Sequence, residues 1–153
     1  MEIRPASASE ADELSALAMS AKAHWGYAQA LLHEWRSQLS ITPEEIRSRP
    51  TFVITAHGQI TGFYSLEPGN EAWKLEHFWV RPEFMGRGIG TQLLRHALQA
   101  AQGGGAARVT VDADPNAAAF YLRRGATKVG EVPAPIPGEA DRVRPQLKFA
   151  LLG

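Results

Sequence analysis

Residues Arg81–Leu94 read RPEFMGRGIGTQLL, with Gly86, Gly88 and Gly90 alternating with larger residues directly ahead of a run of helix formers. An ordered glycine loses more backbone entropy than any other residue, so this spacing needs a reason. The order strand, glycine turn, helix exposes unpaired backbone N–H groups at the positive end of a helix. Such an end binds phosphate oxygens, and glycines let a ligand approach the backbone closely. The chemistry this points to is anion binding, with a pyrophosphate suited to several convergent donors. The alternative is a purely structural strand-to-helix turn, for which one glycine suffices.

Two other phosphate-binding patterns compete. A P-loop needs G-x-x-x-x-G-K-[ST], and no lysine follows these glycines. A dinucleotide fingerprint needs G-x-G-x-x-G, whereas this chain has G-x-G-x-G. Asp112 does lie about 20 residues further on, where a ribose-binding acid would be. The region before the loop reads as hairpins rather than parallel units, which makes dinucleotide binding the weaker alternative.

The chain that positions this loop has 153 residues, enough for one domain with one core. Its 16 Lys and Arg balance 16 Asp and Glu, so nucleic acid or an anionic membrane is not the expected partner. There is no cysteine, which excludes disulfides, thiolate metal sites and cysteine nucleophiles. No metal site is expected. No apolar run approaches the roughly 20 residues of a membrane span. The start, MEIRPASASEADEL, lacks the marks of a secretory signal, so the cytoplasm is the expected location.

The elements follow from periodicity and punctuation. Met1–Arg4 predicts a short strand. Ser7 or Ser9 caps a helix with Leu14, Leu17, Ala18 and Ala21 on one face. Gly26 interrupts AKAHWGYAQALL, so a second helix starts near Ala28. Thr42, Pro43 and Glu45 form a capping-box pattern for a helix ended by Pro50. TFVITA and ITGFYSLE flank HGQ as a hairpin, and AWKLEHFWV is a third strand. A helix from about Arg87 to Gln102 carries Leu93, Leu94, Ala97, Leu98 and Ala101 at helical spacing and stops at Gly103–Gly105. ARVTVDA is a buried strand. DPNAAAFYLRRG is a short helix capped by Asp114. ATKVGEV and RPQLKFALL are the last strands, joined by the proline-rich loop PAPIPGEADRVR. One α/β domain spans residues 1–153.

LEHFWVRPEFMGRGIGTQLL resembles motif A of the GNAT superfamily, the acyl-CoA-dependent N-acetyltransferases, and DPNAAAFYLRRGA resembles the asparagine-to-tyrosine segment that follows it there. Order and spacing agree, and the flanking elements extend the resemblance over essentially the whole chain. It implies a central mixed, mostly antiparallel twisted sheet flanked by helices, with two central strands splayed to hold CoA. One position departs: Met85 stands where the family usually has Gln or Arg. The signature acts mainly through backbone N–H groups, which methionine retains; the polar contact of the usual side chain is what it lacks.

The resemblance assigns roles residue by residue. The backbone of Phe78, Trp79 and Val80 would run beside the pantetheine arm. The N–H groups of Met85, Gly86, Arg87, Gly88, Ile89, Gly90 and Thr91 would hold the pyrophosphate, with Arg87 either adding a charge-assisted contact or standing in solvent. Asn116 would hydrogen-bond the pantetheine. Tyr121 would meet the CoA sulfur as the acid. Glu76 shares a strand face with Phe78 and Val80 and is the candidate base. His77 points to the other face and is expected to be packed or exposed. The Val80 N–H would stabilise the oxyanion.

His24, Trp25 and Tyr27 cluster around the Gly26 break and form either an acceptor wall or plain core. His24 is also a second candidate base. Arg142 or Arg144, in the proline-rich loop, would meet an acceptor carboxylate. The implied function is acetyl transfer from acetyl-CoA to a primary amine of a small molecule or peptide, without a metal. The resemblance is compatible with a homodimer. The alternative reading is a non-catalytic acyl-CoA-binding module.

Overall fold

The computed structural model describes residues 1–151. Its strands are β1 Glu2–Pro5, β2 Thr51–Ala56, β3 Gln59–Glu67, β4 Ala72–Val80, β5 Arg108–Asp112, β6 Thr127–Pro133 and β7 Val143–Ala150. Its helices are α1 Ala11–Ala23, α2 Gln29–Glu34, α3 Arg36–Leu39, α4 Pro43–Ser48, α5 Ile89–Gly103 and α6 Ala118–Arg123. The strands form one seven-stranded sheet in the order β1-β2-β3-β4-β5-β7-β6. β1/β2, β2/β3, β5/β7 and β6/β7 pair antiparallel, whereas β4/β5 is parallel, so the sheet is mixed as expected. The proposed extension of the last strand to Leu152 lies outside the described residues.

Two compact units divide the chain: Met1–Glu67 with Glu76–Ala97, and Pro68–Leu75 with Leu98 onward. In the first, α1 buries Ala11, Leu14, Leu17, Ala18 and Ala21, the face its periodicity predicts. Thr42 caps α4 as a capping box: its Oγ1 accepts from the Glu45 N–H at 3.1 Å and the Glu45 carboxylate accepts from the Thr42 N–H at 3.0 Å. The β2–β3 turn is His57–Gly58, both at positive φ (52° and 76°), which matches a two-residue hairpin. Gln59 is not part of the turn; it pairs with Ala56. The Tyr64 hydroxyl and His96 Nδ1 lie 2.7 Å apart, joining β3 to α5. Burial holds His96 below the ordinary histidine range, so its ring is neutral at pH 7.

β3 carries a bulge. Ile54 pairs with Gly62 and Thr55 with Ile60, which leaves Thr61 as the extra residue. Thr61 Oγ1 donates to the Ile54 carbonyl at 3.1 Å. Gly62 is required here, because a Cβ would sit 2.8 Å from the Trp79 carbonyl oxygen.

In the second unit, β4 and β5 pair through Ala72–Arg108, Trp73–Val109 and Lys74–Thr110. α5 starts two residues later than its pattern suggests, and Gly105 at φ 98° follows its end. Gly104 packs beneath Trp73, and a Cβ there would overlap the indole ring. Gly104→Ala should therefore lower the melting temperature through overpacking of about 1–3 kcal/mol. An unchanged transition in thermal unfolding would show that the ring has room to move.

Candidate active site

β4 alternates as a strand with two unlike faces. Trp73, Leu75 and His77 are buried, Lys74 is exposed, and Glu76, Phe78 and Val80 are half-buried. His77 is packed: its Nδ1 accepts the Trp79 indole N–H at 3.1 Å, and its ring lies 5.8 Å from that of Phe63. Trp79 packs against the core formed by α1, α3, α4 and β2–β3 residues. On the opposite face Glu76 has its Oε2 atom shielded from solvent.

The backbone of β4 separates the three residues expected to serve the pantetheine. The Trp79 carbonyl faces Gly62, and the Arg81 N–H donates to the Thr61 carbonyl at 2.8 Å. Both therefore point to β3. In an extended strand the peptide groups of adjacent residues point to opposite edges, so the Val80 N–H is directed to the other edge. Phe78 shares that direction. Trp79 does not, and its part is to anchor the strand on the core.

A short 3₁₀ turn, Pro82–Phe84, leads into the glycine loop. The Met85 N–H closes that turn on the Pro82 carbonyl at 3.2 Å, so this donor is already engaged. Gly86 and Gly88 have φ of 78° and 81°, the left-handed region that glycine enters without penalty. A Cβ at either position would meet nothing within 4 Å. The space above both glycines is thus open, as close approach of a phosphate requires. The first helical bond of α5 runs from the Gln92 N–H to the Gly88 carbonyl at 3.2 Å, so the Ile89 and Gly90 N–H groups precede the helical ladder. Thr91 completes that first turn. Arg87 is exposed, and its guanidinium lies over the Phe84 ring at 5.4 Å from the centroid. These residues fit a pyrophosphate.

Arg81 is a residue that sequence reasoning missed. Its Nε donates to the Ile60 carbonyl at 2.6 Å and its Nη2 to Glu13 Oε2 at 3.3 Å. Together with its N–H bond to Thr61, this bolts the entry of the loop to the bulge in β3. No local pattern marks a bulge partner twenty residues away.

Asn116 and Tyr121 belong to the second unit. Asp114 Oδ1 accepts the Asn116 N–H at 2.7 Å, an Asx turn. The Asp114 carbonyl accepts from Ala117 at 2.8 Å and Ala118 at 3.1 Å, and α6 starts only at Ala118. The helix is therefore shorter than DPNAAAFYLRRG suggests, because its first residues form the turn. Asn116 is exposed and Tyr121 is buried. The Tyr121 ring meets Phe120 and Phe149 edge to face, at 5.4 and 6.3 Å. Burial, with the charge of Asp114 second, pushes its phenol above the ordinary tyrosine range, so the hydroxyl keeps its proton at neutral pH.

The two arginines expected to meet an acceptor carboxylate have carboxylates of their own. Arg144 Nε and Nη2 donate to Asp112 at 2.8 and 3.3 Å, and Gln146 adds a bond at 2.9 Å. Although burial works against it, these bonds hold the Asp112 carboxyl below its ordinary range. Arg142 is buried beside Asp114.

The aromatic cluster divides in two. His24 and Trp25 meet edge to face at 5.4 Å, with Trp25 39% exposed. Tyr27 instead meets Trp35 at 4.9 Å, and the Lys22 ammonium lies 5.2 and 4.8 Å from those two rings. The cation over Tyr27 is thus the chain's own.

The family model described as the Acetyltransferase (GNAT) family matches residues 14–126. No curated protein sequence matches the chain. Among solved structures, a GCN5-related N-acetyltransferase (aminotransferase, class-II) from Rhodopseudomonas palustris is 25% identical, with a TM-score of 0.78, and the match covers 98% of this chain and 95% of that one. The PaiA N-acetyltransferase from Thermoplasma acidophilum, solved with coenzyme A, is 18% identical with a TM-score of 0.79 over 98% of both chains. The ribosomal-protein-S18-alanine N-acetyltransferase from Escherichia coli is 16% identical with a TM-score of 0.71, covering 99% of this chain and 96% of that one. With the glycine loop and the turn before α6 both inside the matched residues, the chain belongs to the GNAT family of acyl-CoA-dependent N-acetyltransferases.

Proposed function

We propose that this enzyme transfers an acetyl group from acetyl-CoA to a primary amine of a small molecule or peptide, by direct attack in a ternary complex. The observation that carries the reading is the loop Gly86–Gly88, left-handed, open above, and followed by the first turn of α5. In the proposed complex the N–H groups from Gly86 to Thr91 hold the pyrophosphate, with Arg87 adding charge. Phe78 and Val80 offer backbone groups to the pantetheine, and Asn116 offers its side-chain amide.

Bound acetyl-CoA supplies a thioester whose carbonyl carbon accepts the amine and whose thiolate departs. An alkyl ammonium has a pKa of about 10.4, so at neutral pH the acceptor must lose a proton before it attacks. Glu76 takes that proton, directly or through water. The Val80 N–H donates to the oxygen as its charge develops. As the C–N bond forms and the C–S bond breaks, Tyr121 gives its proton to the sulfur; the second proton, lost by the nitrogen as the amide forms, restores the phenol, and the proton on Glu76 passes to solvent. His24 and Trp25 form one wall for the acceptor.

Thiol release from acetyl-CoA, followed against a panel of amines, tests the reading. Release should depend on the amine. Glu76→Gln should slow it about 100- to 10,000-fold at pH 7, with partial recovery at alkaline pH as free amine accumulates. Thiol release that no amine accelerates would favour a binding module. An unchanged pH–rate profile in Glu76→Gln would remove Glu76 from the role of base.

A further inference from the structure

The turn that carries Asn116 and Tyr121 is tied to the loop between β6 and β7. Arg142 Nη2 lies 3.7 Å from Asp114 Oδ2, and only 5% and 8% of the two side chains are exposed. Arg142 Nη1 also donates to the Ala134 carbonyl at 2.9 Å, while the Ala134 N–H donates to the Arg142 carbonyl at 2.9 Å. Arg142 thereby closes the segment Ala134–Arg142 on itself and fastens it to Asp114.

Asp114 serves two structures at once. Its Oδ2 faces Arg142 while its Oδ1 orders the Asx turn through the Asn116 N–H. Its carbonyl starts α6 at Ala118, and Tyr121 lies three residues further along that helix. An exposed ion pair specifies little geometry. A buried one differs, because each charge is costly to leave without the other. The turn is therefore held from both sides, by its own backbone bonds and by the loop.

We propose that Asp114 and Arg142 are a positioning pair that holds the Asn116–Tyr121 turn in the geometry Tyr121 needs to protonate the departing thiolate. This rests on the role given to Tyr121 above. Neither residue touches the reacting atoms; they act through the turn.

A mutant cycle with Tyr121→Phe tests the pair. Asp114→Asn keeps the Oδ1 acceptor but strands the Arg142 charge, so it is measured beside the neutral pair Asp114→Asn/Arg142→Gln, which leaves no buried charge unmatched. Turnover is measured per folded enzyme, with the folded fraction taken from circular dichroism. In the neutral pair kcat should fall about tenfold on the wild-type background and less than about twofold on the Tyr121→Phe background, with KM for acetyl-CoA unchanged, because residues acting through one group are not additive. An equal fall on both backgrounds overturns the proposal and leaves the role of Tyr121 standing. A folded neutral pair with wild-type kcat also overturns it. Wild-type turnover in Tyr121→Phe itself removes both the role and the pair that serves it.

Discussion

Gly88→Val should fold and should lose the thermal stabilisation that acetyl-CoA gives the wild-type protein. Gly88 has φ 81°, and a Cβ there would meet no atom within 4 Å. Strain at a left-handed position costs roughly 1–2 kcal/mol, which a domain of this size withstands. The added Cβ clashes with no protein atom, so the damage falls on whatever must approach the loop. A valine side chain would project into the space that a phosphate needs and block the N–H groups of the first turn of α5. For the wild type, ligand at about 100 times its Kd adds about 2.7 kcal/mol, a rise in Tm of roughly 5–10 °C. NAD should give no such rise. The measurement is differential scanning fluorimetry with each ligand. A folded Gly88→Val protein that still responds to acetyl-CoA would dissociate the loop from cofactor binding, and an equal response of the wild type to NAD would reassign the cofactor.

For Tyr121→Phe the expected result is a fall in kcat of about 10- to 1,000-fold with the Kd for CoA nearly unchanged. The ring of Tyr121 is buried between Phe120 and Phe149, and phenylalanine keeps those contacts. Only the hydroxyl is removed, so stability should change by about 1 kcal/mol. Burial first and Asp114 second keep the phenol protonated at neutral pH, so its hydroxyl is present to donate a hydrogen bond. A thiol has a pKa of about 8.5, so the thiolate leaves tolerably without help, and this bounds the effect. Steady-state kinetics and a direct CoA titration separate the two quantities. Wild-type turnover in the folded variant would show that Tyr121 is only a core residue.

The elements legible in the residues are those set within a few positions of chain. Thr42 and Glu45 reach each other's backbone across one helical turn, so a capping box can be read directly. The buried face of α1 follows from a period of 3.6. Gly86 and Gly88 reveal themselves because only glycine takes their φ without strain. The alternation of β4 placed Glu76 and His77 on opposite faces, and His77 is packed accordingly.

The other half of the candidate site depends on partners that chain spacing does not encode. Arg81 is held by carbonyls of β3 that face it only because Thr61 is a bulge. Arg142 and Arg144 look like free cations in the sequence, yet Asp114 and Asp112 occupy them once β7 lies beside β5. Tyr27 was grouped with His24 and Trp25, but the path of α2 and α3 turns it to Trp35 and Lys22. The physical reason is common to these. Capping, periodicity and φ are short-range and leave their mark in adjacent residues, whereas the partner of a charge or a peptide N–H is set by sheet register and chain reversal, which the sum of many distant contacts selects.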